Sequence, residues 1–321
     1  PTTNTVPAGT HTFNLSAPGY EPLQEEVELL ASGGREQTLR FSLKPVARAP
    51  VPQPARVEPA PPKEQPEPRT VPLAQELGFK FVRIKPSSFT MGSPANQPGR
   101  YRNEFEYTVR FTKTVLVARH EVTQAQYNAF KPSVPVSNLP VTNVSWNDAA
   151  LYANWLSEQD GLDPFYRQVS GRVTGFDRDS KGYRLISEAE WEWLAKQADR
   201  AAATVYVWGN QDRIPSAYGN YGAIAGHNDN HAGVAPVGSY GAERAGLFDL
   251  SGNVSEWVHD VHEFAAPSRN TTDYLGPSTG SNHVIKGGHY ETSRLANLRA
   301  AYREYGSGGK PTVGFRLARY E

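Results

Sequence analysis

Between Lys286 and Glu304 the sequence reads KGGHYETSRLANLRAAYRE, which sets His289, Tyr290, Thr292, Ser293, Asn297 and the arginines Arg294, Arg299 and Arg303 behind a Gly-Gly pair. A histidine four residues from a serine is raw material for a general base and its nucleophile, and arginines can stabilise an oxyanion. The window contains no G-x-S-x-G elbow, however. A helper carboxylate, Glu291, is near only in sequence, whereas triads are defined by geometry. Three arginines in an irregular core more often anchor carboxylates and carbonyls, so the anchoring reading outweighs the hydrolytic one.

Composition removes several chemistries. The chain has no cysteine, which excludes disulfides, thiolate metal sites and cysteine nucleophiles together. Lys plus Arg and Asp plus Glu balance at 33 each, so the broad positive field that nucleic acid or an anionic membrane would need is missing. No apolar run approaches the roughly 18 residues of a spanning helix, so no membrane-spanning segment is expected. The chain opens on PTTNTVPAGT, with neither a basic n-region nor an apolar h-region, and an export signal is expected to have been removed or left out.

Three segments organise the 321 residues. Residues 1–44 carry the short alternating runs THTFNLSAPGYEP and QTLRFSLKP between Gly and Pro turns, the patterning of a small β module. Residues 45–72 hold ten prolines with both charges and almost no large apolar side chain, the composition of a semi-rigid polyproline II spacer. Residues 73–321 form the main domain. Three helices are predicted there: one opened by the capping box Thr123 to Gln126, one capped by Ser145, and one opened by Ser187 and Glu190. In the second helix Trp146, Ala149, Ala150, Ala153 and Leu156 recur at helical spacing and should face the core. Strand runs are short and turns dense, so the class is α+β with much irregular backbone.

Particular stretches carry resemblances. VPAGTHTFNLSAPGYEP resembles the PEGA module, a small β unit common on bacterial envelope proteins. In the main domain FVRIKPSSFTMGS, PVTNVSWNDAALYANWL, YRLISEAEWEWLA and GLFDLSGNVSEWVHD, followed by KGGHY and VGFRLAR, are similar in sequence and order to the formylglycine-generating enzymes, or sulfatase-modifying factors. The resemblance implies their fold, related to C-type lectins and low in regular secondary structure, preceded here by the β module. Ile186 stands where the family usually has proline.

The resemblance also implies what is lost. Family enzymes bind copper through two cysteines after the Gly-Gly pair and oxidise a substrate cysteine; here Thr292 and Asn297 fall at those positions. Neither is a soft ligand for Cu(I) or a redox thiol, so no copper is expected. The related iron-dependent sulfoxide synthases take their histidines largely from an added helical domain, whereas the N-terminal part here has only His11. Family loops are tied by calcium, and oxygen ligands stand at matching positions. In DLSGNVSE these are the carboxylates of Asp249 and Glu256 and the carbonyls of Gly252 and Val254; in the stretch from Gly219 they are the side chains of Asn220 and Asp229 and the carbonyls of Tyr221 and His231. His227 and His231 around Asp229 leave a transition-metal reading open, although the glycines and asparagines there argue against the helix such a pair needs. In HDVHE, Asp260 is expected to be a structural acceptor rather than a metal ligand.

The expectation for function is a pseudoenzyme of the bacterial envelope, periplasmic or otherwise extracytoplasmic, whose cleft around His289, Tyr290, Thr292 and Asn297 receives a protein or peptide partner. Cysteine-free members of the family regulate type VI secretion upstream of a transmembrane threonine kinase, which the resemblance extends to this chain as an expected setting. The alternatives are a hydrolase or non-copper oxygenase using the same cleft, and a calcium-dependent carbohydrate binder. The last lacks the Glu-Pro-Asn and Gln-Pro-Asp tripeptides of sugar-binding C-type lectins.

Overall fold

The computed structural model describes residues 7–31, 38–46, 71–198, 200–215, 218–224, 231–267 and 271–321. The chain divides into two compact units, Pro1–Glu67 and Pro68–Glu321. In the first, β1 (Gly9–Leu15) and β2 (Leu23–Leu29) form an antiparallel hairpin in full register. The run QTLRFSLKP was expected as a further strand. Over its described residues it joins the module by packing Phe41 on Phe13, with ring centroids 5.4 Å apart, and by an isolated bridge from Pro45 to Tyr20. Proline supplies no N–H with which to extend a ladder. Most of the proline-rich spacer lies outside the described residues.

The second unit opens with α1 (Leu73–Glu76), β3 (Phe81–Ile84), β4 (Ser87–Met91), β5 (Tyr107–Phe111) and β6 (Val115–Ala118). Next come α2 (Gln124–Asn128), α3 (Trp146–Gln159), β7 (Tyr166–Val169), β8 (Arg172–Phe176), β9 (Arg184–Leu185) and α4 (Glu188–Lys196). The strands β10 (Ser255–Val261), β11 (His283–Lys286), β12 (Glu304–Gly306), β13 (Val313–Phe315) and β14 (Leu317–Tyr320) close it. Two four-stranded sheets result, ordered β12-β11-β10-β13 and β3-β6-β14-β9. Only Arg316 separates β13 in one from β14 in the other. The architecture is the expected α+β one, with long irregular stretches.

Both predicted capping boxes form, at Thr123 with Gln126 and at Ser187 with Glu190, and the predicted cap Ser145 also makes a box with Asp148. The five positions predicted to face the core from α3 are all buried. α4 is buried on every side, including Glu188, Glu190 and Glu192. A buried carboxylate is sustainable only when paired, and each of the three has its own cation. Arg184 grips Glu190 through two bonds of 2.8 and 2.7 Å. Arg303 grips Glu188 at 2.6 and 2.8 Å, and Lys286 reaches Glu192 at 2.9 Å.

Candidate functional site

The window begins where β11 ends. The Gly-Gly pair is there for close approach: Gly287 has φ 82°, and a Cβ on Gly288 would stand 2.3 Å from Leu298 and 2.9 Å from the Ser251 carbonyl. The chain then closes a tight turn. Thr292 Oγ1 accepts from the His289 amide at 3.0 Å, and the Thr292 amide donates to the His289 carbonyl at 2.8 Å. The Thr292 carbonyl accepts from Gly222 at 3.0 Å, so the turn is also fastened to the loop after Asn220. Asn297 lies in a 3-10 turn (Leu295–Leu298), and its Oδ1 accepts from the Tyr101 hydroxyl at 2.9 Å.

His289 is not placed as a base for Ser293. Its Nδ1 accepts from the Glu291 amide at 3.2 Å, burial lowers its pKa, and Ser293 is exposed. Tyr290 is half-buried and tied through its amide to the Asn253 carbonyl at 2.9 Å. The anchoring reading holds for two of the three arginines. Arg299 meets Glu104 through two bonds of 2.6 Å with both side chains at 0 % exposure. Arg303 holds Glu188, and Arg294 is exposed. Of the side chains expected to line the cleft, those of His289, Thr292 and Asn297 are thus engaged in bonds within the fold. The unit has a narrow recess lined by Ala301 and Arg303 from the far end of the window, and a wider groove lined by Lys80, Arg119, His120 and Glu121. Neither is lined by His289, Tyr290, Thr292 or Asn297.

The two expected ion sites adjoin. Asn253 donates its amide to the Asn220 carbonyl at 2.9 Å, and a Cβ on Gly252 would stand 2.6 Å from that same carbonyl. Asp249, at φ 60°, accepts from the Gly238 amide at 2.7 Å through Oδ2, while its buried Oδ1 has no hydrogen-bond partner among the described residues. Glu256 is differently employed. Both its oxygens receive Arg316, at 2.5 to 2.9 Å, and Trp191 Nε1 donates to Oε2 at 3.2 Å. The Asn220 amide nitrogen donates to the Gly233 carbonyl at 2.7 Å, and its buried Oδ1 has no hydrogen-bond partner among the described residues. Tyr221 is packed beside Trp208, and Val254 is buried immediately before β10. The His231 ring is exposed and meets the Tyr240 hydroxyl at 2.9 Å. Asp229 and His227 lie outside the described residues.

Sequence reasoning missed Glu121. It is 1 % exposed, its buried Oε2 has no hydrogen-bond partner among the described residues, and burial followed by the charge of Asp249 pushes its carboxyl well above the usual range. No local signal marks it, because it sits in an ordinary EVTQ lead-in to the α2 cap. The oxygens of Glu121, Asp249 and Asn220 that lack a hydrogen bond among the described residues are hard donors, the type a hard cation takes, whereas Glu256 is committed to Arg316. Among the described residues no group of three or more histidines and carboxylates converges as metal ligands, so a calcium ion there has to draw on backbone carbonyls too.

In HDVHE the register of β10 on β11 shifts between Trp257 and Val261. The irregularity turns His259 inward, where the Tyr166 hydroxyl meets its Nδ1 at 3.1 Å and burial, then Arg184, holds its pKa well below normal. It also aims Asp260 at the first turn of α4, where Oδ2 accepts from the Glu188 amide at 2.6 Å, the acceptor role expected of it.

Known proteins bear on these features together. The chain is 32 % identical over 193 residues to a formylglycine-generating enzyme of Streptomyces coelicolor, covering 56 % of this chain and 52 % of that protein. It is 28 % identical over 188 residues to the inactive C-alpha-formylglycine-generating enzyme 2 of Mus musculus, covering 56 % and 49 %. It spans about half the length of the curated relatives it matches. Among solved structures, Treponema denticola variable protein 1 superposes with a TM-score of 0.63 at 25 % identity, covering 76 % of this chain and 95 % of that one. Residues 1–46 match the PEGA domain. Residues 131–321 match the sulfatase-modifying factor enzyme 1-like domain, and the chain belongs to that FGE-sulfatase family.

Proposed function

We propose that this chain is a non-catalytic recognition protein of the bacterial envelope that binds a protein or peptide partner and carries structural calcium. The carrying observation is the use made of the two positions where family enzymes hold copper. Thr292 spends its hydroxyl closing a turn and Asn297 spends its carbonyl oxygen on Tyr101. A hydroxyl and an amide so committed are poor ligands for a soft metal and carry no thiol chemistry. The inactive relative in mouse supports a family in which the fold outlives the reaction. The PEGA unit supports an extracytoplasmic location, and among the described residues no helix is long and apolar enough to cross a membrane. The finer setting is the periplasm, in control of type VI secretion upstream of a threonine kinase.

Two results test this reading. The full chain bearing a photo-crosslinker and incubated in bacterial envelope extract is expected to trap a discrete polypeptide; adducts no different from those of a denatured control would defeat the binding role. Calcium binds the folded state, so a free concentration about 100 times its Kd is expected to add about 2.7 kcal/mol. In a unit this size that raises Tm by about 5–11 °C. Equal melting curves in EDTA and in saturating calcium remove the ion from the account.

A further inference from the structure

The family resemblance assigns two carboxylates, Asp249 and Glu256, to one calcium loop, and only the first of them has an oxygen to give. Glu256 receives Arg316 on both oxygens and Trp191 Nε1 on Oε2. Asp249 keeps a buried Oδ1 to which no described residue donates. The other acid in that condition is Glu121. Asn253 Nδ2 reaches its Oε1 only at 3.5 Å, and no described residue donates to its buried Oε2. Asn253 braces the surroundings: its Oδ1 accepts from the Ala235 amide at 2.9 Å and from Asn220 Nδ2 at 3.2 Å. Asp249 and Asn253 both take the left-handed backbone, at φ 60° and 70°, which curls the loop between them.

Charge selects what completes the pair. The charge of Asp249 acts on Glu121, that of Glu256 acts on both, and the cation acting on both is Arg316. Three buried carboxylates against one guanidinium leave two negative charges over. A divalent cation cancels that surplus, a single shared proton only halves it, and a water donates hydrogen bonds but brings no charge. Glu243, whose Oε2 accepts from the Ser251 amide at 3.3 Å, is near enough for Asp249 to act on it and adds to the same negative field. Hard oxygens in an irregular loop suit calcium, with backbone carbonyls and water completing its shell. Glu121 also lines the wider groove, so the pair is reachable from solvent.

We propose that the calcium ion at Asp249 is held by Glu121 in place of Glu256, bridging the two carboxylates from which the fold withholds donors. The inference rests on the calcium of the proposed function and gives it a different ligand. Equilibrium dialysis of the full chain against calcium tests it. Wild type is expected to bind calcium saturably, and Glu121→Gln to bind one ion fewer or to bind that ion at least tenfold more weakly. In EDTA the same variant should melt no lower than wild type, because glutamine ends the repulsion with Asp249 and supplies a donor. A Glu121 that only braced the fold would lower that midpoint and leave calcium binding intact. Anomalous scattering from wild-type crystals grown in calcium locates the ion without any variant, and it is expected about 2.3–2.6 Å from oxygens of both Glu121 and Asp249. An ion on Glu256, or calcium bound equally well by wild type and Glu121→Gln, overturns the inference and leaves the calcium reading standing. A wild-type chain that binds no calcium overturns both and gives the pair a shared proton instead.

Discussion

Arg299→Met is expected to destabilise the second unit by about 3–5 kcal/mol, the usual cost of removing one partner from a buried ion pair. Arg299 and Glu104 are both at 0 % side-chain exposure and joined by two bonds of 2.6 Å. Methionine matches the stem but leaves Glu104 with a buried charge answered only by Ser93 Oγ at 2.6 Å and the Tyr101 amide at 3.1 Å. At about 2–4 °C per kcal/mol the midpoint should fall by about 6–20 °C. The double variant Arg299→Met with Glu104→Leu should regain most of the loss, because a buried pair adds little over apolar side chains of similar volume. Urea unfolding followed by tryptophan fluorescence reads all three proteins, and a single variant within about 1 kcal/mol of wild type would contradict the role given to Arg299.

A larger loss is expected at Arg316, where the chain crosses from one sheet to the other. Arg316 is fully buried; besides Glu256 it donates to the carbonyls of Ala118 at 3.3 Å, Arg119 at 3.2 Å and Phe248 at 2.9 Å. Arg316→Met therefore takes a donor from a buried carboxylate and from the carbonyls of Ala118 and Phe248, while that of Arg119 keeps the Phe248 amide at 2.9 Å, and each abandoned buried acceptor costs about 1–3 kcal/mol. Failure to accumulate soluble protein is the expected outcome. Arg316→Lys should rescue little, since an ammonium cannot reproduce the planar fork that meets both oxygens of Glu256. Soluble yield and Tm of the two variants measure this, and an Arg316→Lys protein as stable as wild type would contradict it.

These two arginines also mark where sequence reading reaches its limit. The capping boxes at Thr123 and Ser187 and the cap at Ser145 are legible because each is a bond between residues three apart, and each forms. The family motifs carried the fold for the same reason: they are contiguous. That Arg299 and Arg303 would anchor acids was legible as a tendency, but their partners Glu104 and Glu188 lie 195 and 115 residues away. Glu256 was read as a calcium ligand from its place in DLSGNVSE. Its carboxylate instead answers Arg316, 60 residues later, and the unpartnered carboxylate beside Asp249 belongs to Glu121, whose surroundings in sequence say nothing of ions. Around Thr292 the limit has a related cause: the backbone amides of His289 and Glu291, which engage Thr292 Oγ1 and His289 Nδ1, leave no mark in the residue types of the window.

The central claim is that the fold no longer carries the family's oxidation, and it is tested most directly by mass spectrometry. The full chain, supplied with copper and oxygen, is incubated with a cysteine-containing peptide that an active formylglycine-generating enzyme converts under the same conditions. The account predicts that the peptide cysteine persists at the level of a protein-free control. Conversion of several peptide molecules per protein molecule would contradict it, because Thr292 and Asn297 would then have to support a reaction for which their committed oxygens leave no metal ligand.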